Sequence, residues 1–386
     1  MRLEGQRLGV GRYLEYLLMN WKRQLSEDEQ VEVYLRAPLE ADRAHLLDLT
    51  DQLRPRVLRP RLPGTLWENA VLGPVARRVD VLFGPSYTLP LGYSGRCVVA
   101  THSVNEAQPG AHSRWYPYLH AALYRASARR ADAVIVPSES TRRDVVRLYG
   151  VPEERVVVVP QGADDAFRPI DDDDLLRRTR ERFFGEDRPY VLFVGKCSQR
   201  RNIPALIEAF AVARRRHALP HGLLLFGPNH LDLPLADLCA SFGVTDDVVQ
   251  VEGDVADHRE LVAVYGAADV FVHPSSYEGW SMTTVEALAC GTAVITVNRS
   301  ALGEIATGHA LTVEDPTVEA LADAIGTVLT DSALRHDLQL RARARGVSFR
   351  WEDTTGQTLE VLRRVAGAPA RPSPLGASLG STKVIV

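Results

Sequence analysis

The sequence predicts an α/β protein built from two doubly wound domains, each a parallel sheet with helices on both faces. Three observations carry this. Short β-branched runs alternate with amphipathic helical stretches over almost the whole chain, the pattern of parallel sheets. The 386 residues exceed one ordinary hydrophobic core and suit two. A stretch holding Gly162, Pro169 and the acids Asp171 to Asp174, residues 161–174, divides the runs into two sets. Consecutive like charges beside a proline read as a solvated linker rather than a metal site.

In the first set, strands are expected at residues 31–35, 79–83, 97–101, 133–137 and 156–160. In the second they are expected at 190–195, 222–227, 248–253, 270–273, 293–297 and 310–313. Helical patterns lie between them, for example at 203–216 and 259–267. The expected organisation is a first domain over 1–165, a second over 166–348, a helix at 349–365 that packs back on the first domain, and a disordered tail at 366–386. That helix has apolar positions Leu359, Leu362 and Val365, and the tail is rich in Ala, Gly, Pro and Ser. The chain opens on a helical pattern at 9–25, with Val10, Tyr13, Leu14, Leu17, Leu18, Trp21 and Leu25 on one face. A doubly wound domain normally feeds such a Gly-led helix from a buried strand, yet residues 1–8 are polar. An apolar strand is therefore expected upstream of the given start, or else an N-terminal sheet that lacks its usual first strand.

Composition narrows the class. No apolar run nears the roughly 20 residues that span a bilayer, and no secretory pattern opens the chain. Cys97, Cys197, Cys239 and Cys290 lie far apart, which argues against a disulfide framework or a zinc site and for a reducing, cytoplasmic compartment. Only Lys22, Lys196 and Lys383 of the 45 basic residues are lysines, as a GC-rich bacterial coding sequence would give. Residues 1–160 carry a net charge of +4 and the remainder −8. A mildly basic first half could suit an anionic acceptor or peripheral contact with a membrane face, though a solvated surface is the plainer reading of so small an imbalance. Nothing points to nucleic acid.

The most specific signal follows the strand at 270–273 and opens a helix: Tyr277-Glu278-Gly279-Trp280-Ser281-Met282-Thr283-Thr284-Val285-Glu286-Ala287. Free N–H groups at a helix start favour a diphosphate, which places Gly279, Trp280, Ser281, Met282 and Thr283 as donor-binding candidates. Glu278 before the helix and Glu286 along it can each accept hydrogen bonds from sugar hydroxyls. Glutamates are ordinarily exposed on surface helices, but Glu286 stands among core-like residues. The second signal is Gly195-Lys196-Cys197-Ser198-Gln199-Arg200-Arg201, where Lys196 and Arg201, five apart after a strand end, can clamp a diphosphate and meet the charge that develops as it leaves. A solvated basic loop is the alternative reading. The third is Gly9-Val10-Gly11-Arg12-Tyr13, glycines that allow close approach of a ligand to the backbone, and equally a simple helix start. His102, at the end of the strand at 97–101, stands where ligands of such domains bind. The aromatic stretch Trp115, Tyr116, Tyr118 and Tyr124, beside Arg125, Arg129 and Arg130, could meet an acceptor or simply pack a helix.

The segment from Glu278 to Glu286 resembles the E-x(7)-E motif of retaining glycosyltransferases of the family-4 type, which have the GT-B architecture of two facing Rossmann-like domains separated by a cleft. The likeness runs from about Gly9 to Val365. The family commonly reads EGFGLP where this chain reads EGWSMT, and Arg then Lys where this chain has Lys196 then Arg201. By the resemblance, Glu278 contacts the donor sugar, Glu286 the ribose, and the amides of Ser281 to Thr283 the sugar and phosphates. His102 matches a family histidine near the donor sugar, with Ser103 in the place of a common Asp. Residues 131–138 and 160–164 match further landmarks, with Gln161 where Asn is common. The implied activity is metal-independent transfer of a sugar from a nucleotide diphosphate donor to a carbohydrate, glycolipid or natural-product acceptor, with retention and without a cofactor. A nucleotide-sugar epimerase, a disaccharide phosphorylase and a non-catalytic sugar-nucleotide sensor are the alternatives. A nicotinamide dehydrogenase is disfavoured, because no strand leads into a full Gly-x-Gly-x-x-Gly.

Overall fold

The structure, a computed structural model, describes residues 9–38, 52–105, 116–229, 232–252, 258–367 and 383–385. The chain divides into two compact units, residues 1–161 with 351–386, and residues 162–350.

Unit 1 opens with α1 (Gly9–Gln24), followed by β1 (Gln30–Leu35) and β2 (Leu53–Val57). Two short helices, α2 (Gly64–Trp67) and α3 (Gly73–Val75), flank a π-helical turn at Glu68–Leu72. Then come β3 (Val81–Gly84), β4 (Cys97–Ala100), α4 (Tyr116–Arg130), β5 (Ala133–Val136), α5 (Glu139–Asp144) and β6 (Val156–Val158). Unit 2 holds α6 (Asp173–Phe184), β7 (Tyr190–Val194), α7 (Ile203–His217), β8 (Gly222–Phe226), α8 (Leu235–Phe242), β9 (Val248–Val251), α9 (His258–Gly266) and β10 (Val270–His273). It continues with α10 (Met282–Ala289), β11 (Val294–Val297), α11 (Ser300–Ala306), β12 (Leu311–Val313), α12 (Val318–Thr330) and α13 (Ser332–Gly346). The chain returns to unit 1 with α14 (Trp351–Gly367) and β13 (Lys383–Ile385).

In unit 2 the sheet order is β12-β11-β10-β7-β8-β9, parallel throughout. Every residue of β7 is buried. Val191 and Phe193 pack on one face with α7 and α12, and Tyr190, Leu192 and Val194 on the other with α9, α10 and α11. A strand covered on both faces reads as one continuous apolar run, which is why its sequence does not alternate. From β7 the chain runs outward to β8 and β9, then crosses back to start β10 on the other flank of β7. The carboxyl ends of β7 and β10 thus form the switch point of the sheet, where doubly wound domains bind ligands. The acids expected as linker are instead a helix start. Asp172 caps α6 by accepting from Leu175 N at 2.9 Å, and Asp173 and Asp174 fill the first turn, where the helix dipole favours negative charge.

In unit 1 the order is β2-β1-β13-β3-β4-β5-β6, again all parallel. Residues 1–8 lie outside the described residues. The position between β1 and β3 is filled by β13, with Val384 opposite Val31 on one side and Val81 on the other. Residues 366–386 were expected as a disordered tail. Their last part is a central strand, because the inner flanks of β1 and β3 carry backbone groups that need partners. Residues 368–382 lie outside the described residues, as does Trp115. The second strand not foreseen, β2, is a polar edge strand with Pro55, four of its five residues exposed.

Helix α14 covers this sheet beside α1. Trp351 stacks on Tyr16 with ring centroids 4.4 Å apart, and Trp21 Nε1 donates to Thr355 O at 3.0 Å. Arg363 Nε and Nη2 each donate to a different oxygen of Glu29 at 2.6 Å, and Ser26 N donates to the same carboxylate at 2.9 Å. The guanidinium holds the Glu29 carboxyl down at about 2, against partial burial.

Two outcomes follow from unit 1. Val384→Pro removes a ladder bond from the middle of a sheet and should cost ~3 kcal/mol in urea unfolding. An unchanged midpoint would mean that the strand does not hold this position. Glu29→Gln should cost about 1 kcal/mol at neutral pH, a charged hydrogen bond discounted because the Arg363 side chain is 40% exposed. A depressed carboxylate stabilises above its unfolded pKa of 4.5, and that contribution fades as pH falls towards 2. The gap between wild type and variant should therefore close over that window, and a gap that stays constant to pH 2 would contradict the assignment.

Candidate active site

At the switch point of unit 2, two loops meet that are distant in sequence. The first leaves β7 through Gly195, at φ 140°, and the neighbouring strand β8 ends in Gly227, at φ 143°. A Cβ on Gly227 would lie 2.3 Å from Gly195 O, so only glycine lets these two strand ends approach so closely. The loop then carries Lys196, half-buried, whose carbonyl accepts from Arg201 Nη1 at 3.2 Å. Ser198 Oγ accepts from Arg201 N at 3.3 Å and tightens the turn before α7.

The second loop leaves β10 and carries Glu278, whose side chain is buried. Its Oε1 gathers four neighbours. Arg200 Nη1 lies at 3.1 Å, Ser275 Oγ donates at 3.1 Å, Arg201 Nε lies at 3.4 Å, and His273 Nε2 approaches to 3.5 Å. Burial alone would raise the pKa of Glu278, but the two guanidiniums, Arg201 above all, outweigh it and hold the carboxyl well below the usual range. Burial lowers the pKa of His273, which keeps the ring neutral at physiological pH, and its separation from Oε1 is a close approach without hydrogen-bond geometry. Every contact found for the Glu278 carboxylate among the described residues falls on Oε1, and Oε2 can still accept from a ligand hydroxyl. Its main chain is fixed too, since Ser300 Oγ accepts from Glu278 N at 3.1 Å and Ala301 N donates to Glu278 O at 3.3 Å.

Eight residues of helix follow. Ser281 is the N-cap of α10, its Oγ accepting from Thr284 N at 3.2 Å, while Val285 N bonds to Ser281 O at 3.1 Å. Among the described residues nothing accepts from the amides of Met282 and Thr283, which stand in the first turn where a helix offers donors to an anion. Gly279 lies between Glu278 and the cap. Trp280 meets Phe349 edge to face at 5.6 Å, and its buried Nε1 finds no acceptor among the described residues. Glu286 is 1% exposed, and its Oε2 accepts from Tyr265 OH at 3.1 Å. This glutamate is thus built into the core side of α10, with a partner on α9.

Gly195, Lys196, Arg201 and the run from Glu278 to Glu286 therefore share unit 2. His102, Gly9 and Gly11 belong to unit 1, where their places are described apart. Gly9 and Gly11 form the first turn of α1 itself, not a loop ahead of it. His102 lies edge to face with Tyr13 at 4.9 Å and with Tyr87 at 5.5 Å. Its Nε2 faces Pro85 O at 2.8 Å and must be the protonated nitrogen, since a carbonyl only accepts. Its Nδ1 then accepts from Gln161 Nε2 at 2.9 Å. Both nitrogens are engaged by unit 1, so in this arrangement the ring positions its neighbours and offers no free nitrogen to a reacting group. Sequence reasoning missed Arg200, Ser275 and His273. Arg200 was legible only as a second cation beside Arg201, and His273 only as the last residue of a buried strand. All four cysteines are free and buried. No helix of the described residues is long and apolar enough to cross a membrane.

Comparison with known proteins bears on the family and the fold. The family Glycosyltransferase Family 4 matches residues 9–167, and the family Glycosyl transferases group 1 matches residues 177–345. The O-antigen chain mannosyltransferase B of Escherichia coli is 26% identical over 289 residues, 73% of this chain and 74% of that protein. The D-inositol 3-phosphate glycosyltransferase of Kineococcus radiotolerans is 34% identical over 258 residues, 61% of this chain and 57% of that protein. Among solved structures, Anabaena HepE in complex with UDP and glucose covers 95% of this chain and 98% of its own, at 16% identity and a TM-score of 0.74. WaaG, a glycosyltransferase involved in lipopolysaccharide biosynthesis, covers 92% and 96% at 17% identity and a TM-score of 0.69. Two family matches in tandem, one on each α/β unit, and the shared fold of these structures lead to one assignment. The chain belongs to the family-4 glycosyltransferases and has their GT-B fold of two Rossmann-like domains.

Proposed function

We propose that the chain transfers a sugar from a nucleoside diphosphate donor to an acceptor hydroxyl, with retention of anomeric configuration and without a metal. The observation that carries the donor is the switch point of unit 2, where the open amides of Met282 and Thr283, the cations of the β7 loop and a carboxylate with one open oxygen converge. The amides and Arg201 take the diphosphate, with Lys196 from the same loop. Glu278 Oε2 accepts from the sugar hydroxyls, and Glu286, further along α10, serves the ribose. HepE, which shares the fold, is described in complex with UDP-glucose and with UDP, which supports a nucleotide-sugar donor for this fold.

In the reaction the bond from the anomeric carbon to the diphosphate oxygen breaks. A bond from the acceptor oxygen to the same carbon forms on the same face, and the acceptor proton passes to the leaving phosphate oxygen. Glu278 is held as an anion by its two arginines, so it binds rather than donates a proton. Negative charge grows on the diphosphate as it leaves, where Arg201 and Lys196 supply fixed positive charge in place of a metal. The acceptor is a hydroxyl of a sugar, glycolipid or natural product.

Lys196→Ala and Arg201→Ala should each raise the activation free energy by about 2–4 kcal/mol, read as kcat, with donor KM changed less. Near-normal kcat in both, with circular dichroism unchanged, would make the cations a binding device only. Glu286→Ala should weaken free nucleoside diphosphate by about 1–3 kcal/mol in calorimetry, whereas Glu278→Ala should spare it and weaken the intact donor. Unaltered nucleotide affinity in Glu286→Ala would remove the ribose assignment.

A further inference from the structure

Tyr265, next to last in α9, is fully buried, and its hydroxyl donates to Glu286 Oε2 at 3.1 Å. Its ring lies edge to face with Phe167 at 6.0 Å and with Phe271 at 5.7 Å. A phenylalanine would fill this apolar place as well, and a hydroxyl buried there costs free energy unless it is hydrogen-bonded. Packing therefore explains the ring, and Glu286 explains the oxygen.

The main chain of Tyr265 is tied to α10 a second time. Thr292, just past that helix, donates through Oγ1 to Tyr265 O at 2.8 Å, while its own N–H bonds to Ala287 O at 3.0 Å. Between the helix and Thr292 the chain turns at Gly291, with φ 74°. Tyr265 is thus fixed relative to α10 at both its carbonyl and its hydroxyl. A glutamate side chain has several rotatable bonds, and the sequence neighbours of Glu286, namely Val285, Ala287 and Leu288, are buried and apolar. Holding Oε2 selects one rotamer, and so decides where the rest of the carboxylate accepts. A carboxylate has about four acceptor positions, more than one phenol fills. A group held in this way before the ligand arrives need not be ordered on binding.

We propose that Tyr265 is a positioning residue for the donor: its hydroxyl holds Glu286 in the rotamer that accepts from the ribose hydroxyls. The pair across α9 and α10, rather than Glu286 alone, then selects a nucleotide whose ribose carries its hydroxyls. This inference rests on the ribose reading of Glu286. Tyr265 acts through that carboxylate and not on the reacting atoms.

Calorimetry on the full chain tests it with UDP, GDP or ADP, whichever raises the melting temperature most, against the dideoxyribose form of the same nucleotide. Wild type should bind the ribose form about tenfold more tightly or better. Tyr265→Phe should weaken the ribose form about fivefold, the scale of one hydrogen bond, and leave the dideoxy form unchanged. In a Glu286→Ala background the same change should weaken neither form further, because the group it positions is gone. Thr292→Val keeps the hydroxyl and frees only the Tyr265 carbonyl, so it should lower the preference in the same direction by less. Should Tyr265→Phe fail to fold, an unchanged preference in Thr292→Val would overturn the proposal in its place. A tyrosine that merely packs would weaken both forms alike or neither, and either result in Tyr265→Phe overturns the proposal. Equal binding of both forms by wild type, binding of none of the three nucleotides, or unchanged affinity in Glu286→Ala would remove the ribose reading and this inference with it. A loss in Glu286→Ala without one in Tyr265→Phe would overturn the inference alone.

Discussion

The geometry of unit 2 depends on one carboxylate oxygen. Glu278 Oε1 draws Arg200 and Arg201 from the loop after β7 to the loop after β10, which are neighbours in the sheet but more than 70 residues apart in the chain. A buried charge is tolerated only when paired and hydrogen-bonded, and removing one partner from such a cluster is more costly than never having built it. The cluster therefore fixes both loops at once. Glu278 is also anchored through its main chain to the start of α11, so the N-terminus of α10 is held at a set place relative to the cations. An anion-binding site made of amides and guanidiniums needs such preorganisation, because donors that must first be gathered contribute little in the transition state.

Holding Oε1 with four groups has a second effect, which is to leave Oε2 for the ligand. One side of the carboxylate is structural and the other is open, so a single residue both assembles the site and reads the sugar. His273 contributes by staying neutral. A protonated imidazole would compete with the arginines for the same oxygen, and burial between the rings of Phe193 and Phe271 prevents it.

Much of this was legible in the sequence, and the reasons are specific. Strands such as β7 and β10 are short runs buried on both faces, so composition alone exposes them. The segment from Glu278 to Glu286 was legible because a glutamate amid Val285, Ala287 and Leu288 has no ordinary surface explanation. By contrast, β2 is a polar edge strand with a proline, and β13 is three residues at the end of a Gly- and Ser-rich stretch; each is specified by its partners in the sheet rather than by its own side chains. Asp171 to Asp174 looked like a linker because four adjacent acids carry no sign of whether a helix follows. The binding of both His102 nitrogens could not be read at all, since Pro85 and Gln161 are 17 and 59 residues away.

The central claim is that the diphosphate is held at the switch point of unit 2 by amides and cations organised around Glu278. The most direct measurement is a crystal structure with a bound nucleoside diphosphate, chosen among UDP, GDP, ADP and TDP by thermal shift. The account predicts phosphate oxygens within hydrogen-bond distance of the Met282 and Thr283 amides and of Arg201 or Lys196, with Glu278 Oε1 still on its two arginines and the ribose beside Glu286. A diphosphate bound away from α10, or held there through a metal ion with both Lys196 and Arg201 turned aside, would contradict it.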